Sequence, residues 1–193
     1  MKNILHQFVS SFQLLSPEEV NIIVDNADIR EFPKGKHLLK EGQIAQECYF
    51  MLKGLVREYY LQDGIEKTTA FFSEGMPVNS FSSATEQKPS KHYLVCAEDC
   101  VMTVGTDSLE AEMIRRIPRL GEIIRVEVER NAGKIQDELA TYIMSSPEDR
   151  YLNLLETRPE LLNRVPQHQI ASFLGVKPES LSRIRKRLLS KKS

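Results

Sequence analysis

The segment VPQHQIASFLGVKPESLSRIRKRLL, residues 165–189, reads as two short helices joined by a glycine turn. Ile170, Ala171 and Leu174 form one apolar face, Gly175 supplies the turn, Val176 fills the angle, and Leu181, Ile184 and Leu188 face back from a second helix. A small residue where helices meet, glycine at the turn and apolar residues fixing the crossing angle make up the grammar of a helix-turn-helix. The outward positions of the second helix are Lys177, Glu179, Ser180, Arg183, Lys186 and Arg187. A helix of this kind fits the major groove of double-stranded DNA, where its side chains meet base edges and phosphates. Arg183 has the fork to pair with guanine, and Glu179 can accept from a cytosine amino group. Glu179 equally suits the positive end of the helix dipole. Ser180 and Gln167 stand where short polar side chains hold phosphates, and the basic tail Lys186, Arg187, Lys191 and Lys192 adds affinity that salt weakens. Without the turn in front of it, the basic run would read as a solvated helix face.

Charge mapped along the chain agrees with this division. From Lys177 onward there are seven Lys or Arg against Glu179 alone, a net of +6 that leaves −7 for the rest of a chain whose total is −1. A length of 193 residues suits one large domain plus a small one, and 41% apolar with 27% charged residues is ordinary for a globular protein. Cys48, Cys96 and Cys100 are odd in number and lack CxxC spacing, which suits core thiols in a reduced, cytoplasmic setting. The opening MKNILHQFVSSFQLL is interrupted by His6, Gln7, Ser10, Ser11 and Gln13, too often for a signal peptide; Ile4, Leu5, Phe8, Phe12 and Leu15 instead read as one buried helical face. No run is apolar enough to predict a membrane span.

Working back from the basic segment, Ser146 and Pro147 open a helix whose Leu152, Leu155 and Tyr151 face inward, and the domain boundary is placed there. Before it, Leu120, Ile124, Val128, Ala132, Ile135, Leu139 and Tyr142 recur every three or four residues between Pro118 and Ser145, predicting a helix of roughly 40 Å at 1.5 Å per residue. That stripe packs either on its own domain or, as its length favours, along a twin helix in a homodimer, with Asn131 and Gly133 as weak points suited to close contact. Farther back, Ser16, Pro17 and Glu19 form a capping box. Between residues 32 and 75 five glycines punctuate short runs such as ECYFMLKGLVREYYL and KTTAFF, with Asp63-Gly64 as a hairpin turn. KHYLVCAEDCVMTVG, residues 91–105, adds two strands, and SSATEQKPSK, residues 82–91, reads as a polar loop.

The expected fold is therefore α+β. It comprises an N-terminal antiparallel β-roll of the double-stranded β-helix type with flanking helices (residues 1–117), a long dimerisation helix (118–145) and a C-terminal all-α, winged-helix-like helix-turn-helix domain (146–193). This order, together with FPKGKHLLKEGQ (32–43), YFMLKGLVREYY (49–60) and IASFLGVKPESLSRIRKRL (170–188), resembles the Crp/Fnr superfamily of bacterial transcription regulators along nearly the whole chain. The resemblance implies a cyclic-nucleotide-binding-like sensor, a homodimer, double-stranded DNA as partner, RNA polymerase as a further one, and base reading by Glu179 and Arg183 with Ser180 on phosphate. Pro178 stands where the cyclic AMP receptors of the family carry another base-reading Arg, so the expected half-site differs from theirs.

The sensor departs further. Asn79 and Ser80 occupy the places of the family's Gly-Glu on ribose, and KPSKHYLV offers Lys88, Ser90 and Lys91 but no arginine for the cyclic phosphate. A lysine lacks the planar bidentate fork. The effector candidates Asn79, Ser80, Ser90 and Lys91 thus point away from cyclic AMP, toward another small molecule or none. No metal or cofactor is expected: no cysteine precedes Cys48 to start an iron–sulfur site, and His37 and His92 suit haem only by residue type. Two other classes compete with the regulator. A β-roll metal enzyme would need converging His and carboxylates, but His6, His37, His92 and His168 lie in unrelated segments, so no enzyme is expected. A ligand-free interaction module would use the basic helix on an acidic protein.

Overall fold

The computed structural model describes residues 2–12 and 14–190. The chain opens with helices α1 (Lys2–Ser10) and α2 (Pro17–Asn26). Ser16 starts α2 as its sequence suggests: its Oγ accepts from the Glu19 N–H at 3.3 Å, and Glu19 Oε2 accepts from the Ser16 N–H at 2.7 Å. Because α1 ends at Ser10, the expected apolar face is cut short. Leu5 and Val9 are the buried residues of α1, whereas Ile4 is exposed, and Phe12 and Leu15 lie beyond the helix.

Strands follow as β1 (Asp28–Phe32), β2 (His37–Leu39), β3 (Cys48–Lys53), β4 (Val56–Gln62), β5 (Ile65–Phe72) and β6 (Pro77–Val78), then helix α3 (Phe81–Glu86) and strands β7 (Tyr93–Cys96) and β8 (Cys100–Gly105). They form two four-stranded sheets, in the orders β1-β8-β3-β6 and β2-β7-β4-β5. The first is antiparallel throughout, with Asp28 opposite Val104, Met51 opposite Met102 and Tyr49 opposite Val78. β3 explains why the run YFML does not alternate with polar residues. Tyr49 and Met51 enter the core with Leu39, Val56, Val78, Leu94 and Met102, while Phe50 and Leu52 pack from the other face with Leu5, Val9, Val20 and Val24. A strand buried on both faces needs apolar residues at every position. The roll core is thus capped on one side by α1 and α2.

The polar stretch expected as a loop is partly helical. α3 closes with Gln87 in the left-handed conformation, and the Ser83 hydroxyl holds the segment by donating to the Lys88 carbonyl at 2.6 Å and accepting from the Ala45 N–H at 3.0 Å. Its residues lack an apolar stripe, so periodicity gave no sign of it.

After Thr106 the regular elements among the described residues are all helices. Thr106 caps α4 (Asp107–Arg116), followed by α5 (Pro118–Met144), α6 (Pro147–Thr157), α7 (Leu161–Arg164), α8 (Gln167–Phe173) and α9 (Pro178–Ser190). Two compact units result: residues 1–58 with 71–132, and residues 59–70 with 133–193. The long helix α5 buries Ile123 alone, whereas Val128, Ile135, Leu139, Tyr142 and Ile143 are exposed. In the second unit, the Thr68 N–H of β5 donates to Ser172 Oγ of α8 at 2.9 Å.

Glycine has opposite meanings at two positions here. Gly175 has φ +68°, and a Cβ there would run into the Tyr142 hydroxyl, whereas Gly133 lies in α5 with open space around it. Gly175→Ala is expected to destabilise the protein by about 1–2 kcal/mol, the cost of a left-handed L-residue. Gly133→Ala is expected to stabilise it by up to about 1 kcal/mol through helix propensity. Urea unfolding of the two variants checks both signs.

Candidate nucleic-acid interface and effector cavity

The C-terminal helices are positioned by a closed apolar cluster and a backbone cap. Ile170, Ala171, Leu174, Leu181 and Ile184 are buried, as are Tyr151, Leu154, Leu161 and Val165. α8 ends in a paired hydrogen-bond closure: the Val176 N–H donates to the Ala171 carbonyl at 2.9 Å and the Gly175 N–H to the Ser172 carbonyl at 3.0 Å. This arrangement satisfies carbonyls that the helix end would leave open, and it requires the left-handed residue between the two donors' partners and α9. The Arg150 guanidinium lies over the Tyr142 ring, 4.2 Å from its centre, beside the same turn.

With that inner face fixed, the outward face of α9 follows from its 3.6-residue period. Lys177, Glu179, Arg183, Lys186 and Arg187 are exposed, Ser180 is half-buried, and Gln167 is exposed at the start of α8. Arg183 Nε donates to the Glu179 main-chain carbonyl at 3.4 Å, along the helix. Arg187 is already engaged, its Nη2 donating to Glu148 Oε2 of α6. Sequence reasoning missed this contact because it joins two helices 39 residues apart, and it also passed over Arg185, exposed and bordering a small crevice with Gln167 and Leu181. Lys191 and Lys192 lie outside the described residues. Glu179 sits in the first turn of α9, where a carboxylate also complements the helix dipole.

Three of the four sensor candidates border one cavity wall, the Ser90 N–H donating to the Gln43 carbonyl at 2.7 Å. Ser80 lines a cavity of about 290 Å³ in the roll. Asn79 is its chain neighbour, and both Asn79 Oδ1 and Ser80 Oγ are buried without a hydrogen-bond partner. Ser90 is committed to the backbone, its Oγ donating to the His92 carbonyl at 2.9 Å and accepting from the His92 N–H at 3.1 Å. Lys91 is exposed and is not among the lining residues. Leu38, Leu39, Ile44, Ala45, Tyr49 and Leu94 make the apolar wall. Its polar part is Ser80 with Gln43, Gln46 and Glu47. The wall segment Gln43–Glu47 escaped sequence reading because a loop carries no periodicity.

Glu47 is held from both sides. Its Oε1 pairs with Arg30 Nη1 at 3.1 Å and its Oε2 accepts from the Tyr49 hydroxyl at 2.8 Å. Burial and the Glu47 carboxylate push the Tyr49 phenol well above its ordinary range, so it stays a donor. Burial likewise raises the Cys48 thiol, and Cys96 is raised by its hydrogen bond to Cys100 together with burial. Among the described residues no group of three or more His, Cys, Asp or Glu is arranged to hold a metal ion, and no helix is long and apolar enough to cross a membrane.

Residues 29–109 match the cyclic nucleotide-binding domain family, and apart from Asp28 at the start of β1 the strands of the roll fall within that span. The cyclic AMP receptor protein of Thermus thermophilus is 24% identical over 178 residues, covering 90% of this chain and 82% of its own. Solved structures share its fold at lower identity. FixK2 from Bradyrhizobium japonicum matches with a TM-score of 0.70 at 18% identity, covering 86% of each chain. The c-di-GMP responsive global regulator CLP from Xanthomonas campestris matches with 0.69 at 17% identity, covering 92% of this chain and 93% of its own.

Arg187 yields a test of the interface. Glu148→Gln removes the carboxylate that holds this arginine, leaving it available to phosphate. The variant is expected to bind a duplex of arbitrary sequence more tightly. Its plot of log affinity against log salt is expected to steepen by about 0.9, the value of one added phosphate contact. Fluorescence anisotropy across a salt series measures both.

Proposed function

We propose that this chain is a regulator of transcription of Crp/Fnr type that binds double-stranded DNA sequence-specifically as a homodimer, with its β-roll sensing an effector other than cyclic AMP. The observation that carries the reading is the outward face of α9: Lys177, Glu179, Arg183 and Lys186 stand exposed on a helix whose other face is locked by Leu181 and Ile184. Arg183 and Glu179 are assigned to base edges. Lys177, Lys186, Arg187, Ser180 and Gln167 are assigned to phosphates, where contacts set register without specifying sequence.

The homodimer is supported by the exposed stripe Val128, Ile135, Leu139 and Tyr142 along α5, since monomeric proteins rarely leave a contiguous apolar patch on one helix. A two-fold dimer presents two α9 helices, so a pseudo-palindromic site with half-sites about one helical turn, near 34 Å, apart is expected. RNA polymerase is the partner through which such a regulator acts. Against cyclic AMP stand Asn79 and Ser80 at the ribose position, a Ser90 hydroxyl already used by the backbone, and an exposed Lys91.

Selection of bound oligonucleotides from a random pool, at moderate salt and without added ligand, tests the reading. Enrichment of a palindrome that differs from the cyclic AMP receptor consensus is expected. Weak, salt-sensitive retention without enrichment, with or without extracts of small metabolites, would leave α9 as an electrostatic surface only.

A further inference from the structure

One arginine beside the helix-turn-helix carries a charge that the fold does not neutralise. Arg150 lies in α6, close behind its Ser146 cap and so near the positive end of the helix dipole, where a cation gains nothing from the backbone. The two carboxylates that precede it are already committed. Glu148 pairs with Arg187, and Asp149 accepts from the Ser146 N–H at 3.2 Å and from the Ser146 hydroxyl at 2.6 Å. One turn farther on, Asn153 and Leu154 bring no charge. Among the described residues the Arg150 side chain has no carboxylate partner, and its Nε is buried without a hydrogen bond. What holds it is the face of Tyr142, whose ring centre lies 4.2 Å from the guanidinium carbon.

An aromatic face attracts a cation without cancelling its charge, and it leaves the edge of the planar guanidinium free to donate. Arg187 is the contrasting case, since Glu148 neutralises it. An arginine stacked in this way is preset for an anion, which then costs less side-chain ordering to bind.

The position adjoins the outward face of α9. A Cβ at Gly175 would lie 3.3 Å from Arg150 Nη1 and would run into the Tyr142 hydroxyl, so the missing side chain at residue 175 lets the stacked pair lie against the turn. Gly175 is exposed, and Lys177, already assigned to phosphate, follows two residues later. A recognition helix enters the groove by its N-terminal residues, and phosphates border that groove.

Resting on the reading of α9 as a DNA-binding helix, we propose that Arg150, held on the face of Tyr142, is a further phosphate-binding residue of the interface, set at the helix-turn-helix turn to contact the backbone beside the groove that α9 enters. The full chain is titrated against the duplex enriched by selection and against a scrambled duplex, by fluorescence anisotropy across a salt series. Arg150→Gln is expected to weaken both duplexes to the same degree and to flatten the plot of log affinity against log salt by about 0.9 for each subunit bound, the share of one phosphate. Arg150→Lys keeps the charge and is expected to keep the slope. Phenylglyoxal modification of the unmodified chain, read by peptide mass spectrometry, covers a variant that does not fold: Arg150 is expected to react in the free protein and to be protected by either duplex.

An unchanged slope in Arg150→Gln, a loss confined to the enriched duplex, or a slope lost in Arg150→Lys as well would each overturn the proposal, as would an Arg150 that reacts equally with and without DNA or in neither state. Lys186→Gln, measured alongside, separates this assignment from the regulator reading. A slope flattened by Lys186→Gln but not by Arg150→Gln removes the Arg150 contact alone, whereas a chain that binds neither duplex removes the regulator reading and this contact with it.

Discussion

The turn at Gly175 is the constraint on which the interface depends. Two hydrogen bonds, from Val176 to Ala171 and from Gly175 to Ser172, end α8 and set the direction in which α9 departs. Leu181 and Ile184 then return to the cluster formed by Ile170, Ala171 and Leu174. Once those contacts are made, a period of 3.6 residues leaves no choice about which side chains face out. The basic face is therefore a consequence of the buried one, and the chemistry assigned to Arg183 or Lys186 rests on a backbone conformation that glycine adopts most readily.

The same logic of two-sided constraint organises the roll. β3 is buried on both faces, toward the strands through Tyr49 and Met51 and toward α1 and α2 through Phe50 and Leu52. It leaves little freedom to β8 and β6 on either side of it. The part of the interior that stays open lies at the mouth formed by Leu38, Leu39 and the Gln43–Glu47 loop, where Ser80 ends β6's connection to α3. Rigid strands on one side and a hydrogen-bonded loop on the other give the cavity a defined shape without filling it.

What the sequence showed depended on whether the cause was local. The capping box of Ser16 and Glu19, the start of α6 at Ser146 and Pro147, and the long helix were legible because each follows from neighbouring residues and backbone sterics. The helix-turn-helix was legible because the apolar spacing and Gly175 occur within one short segment. The face of α1 was misjudged at Ile4 because a helix that ends at Ser10 cannot carry its stripe to Phe12 and Leu15. α3 was hidden by polar composition. Of the site, the outward residues of α9 could be read directly, whereas Arg187's pairing with Glu148, the engagement of Ser90 by the His92 backbone and the lining of the cavity by Gln43–Glu47 arise from tertiary contacts that no spacing rule encodes.

The central claim is that the exposed face of α9 reads bases, and one comparison addresses it most directly. The affinity of Arg183→Ala would be measured against the enriched duplex and against a scrambled duplex of the same length, at the same salt, beside the unmodified protein. The account predicts a loss of about 1–3 kcal/mol on the enriched duplex with little change on the scrambled one, so that the specificity ratio collapses. Equal losses on both duplexes would make Arg183 a phosphate contact, and no loss on either would contradict the placement of α9 in the groove.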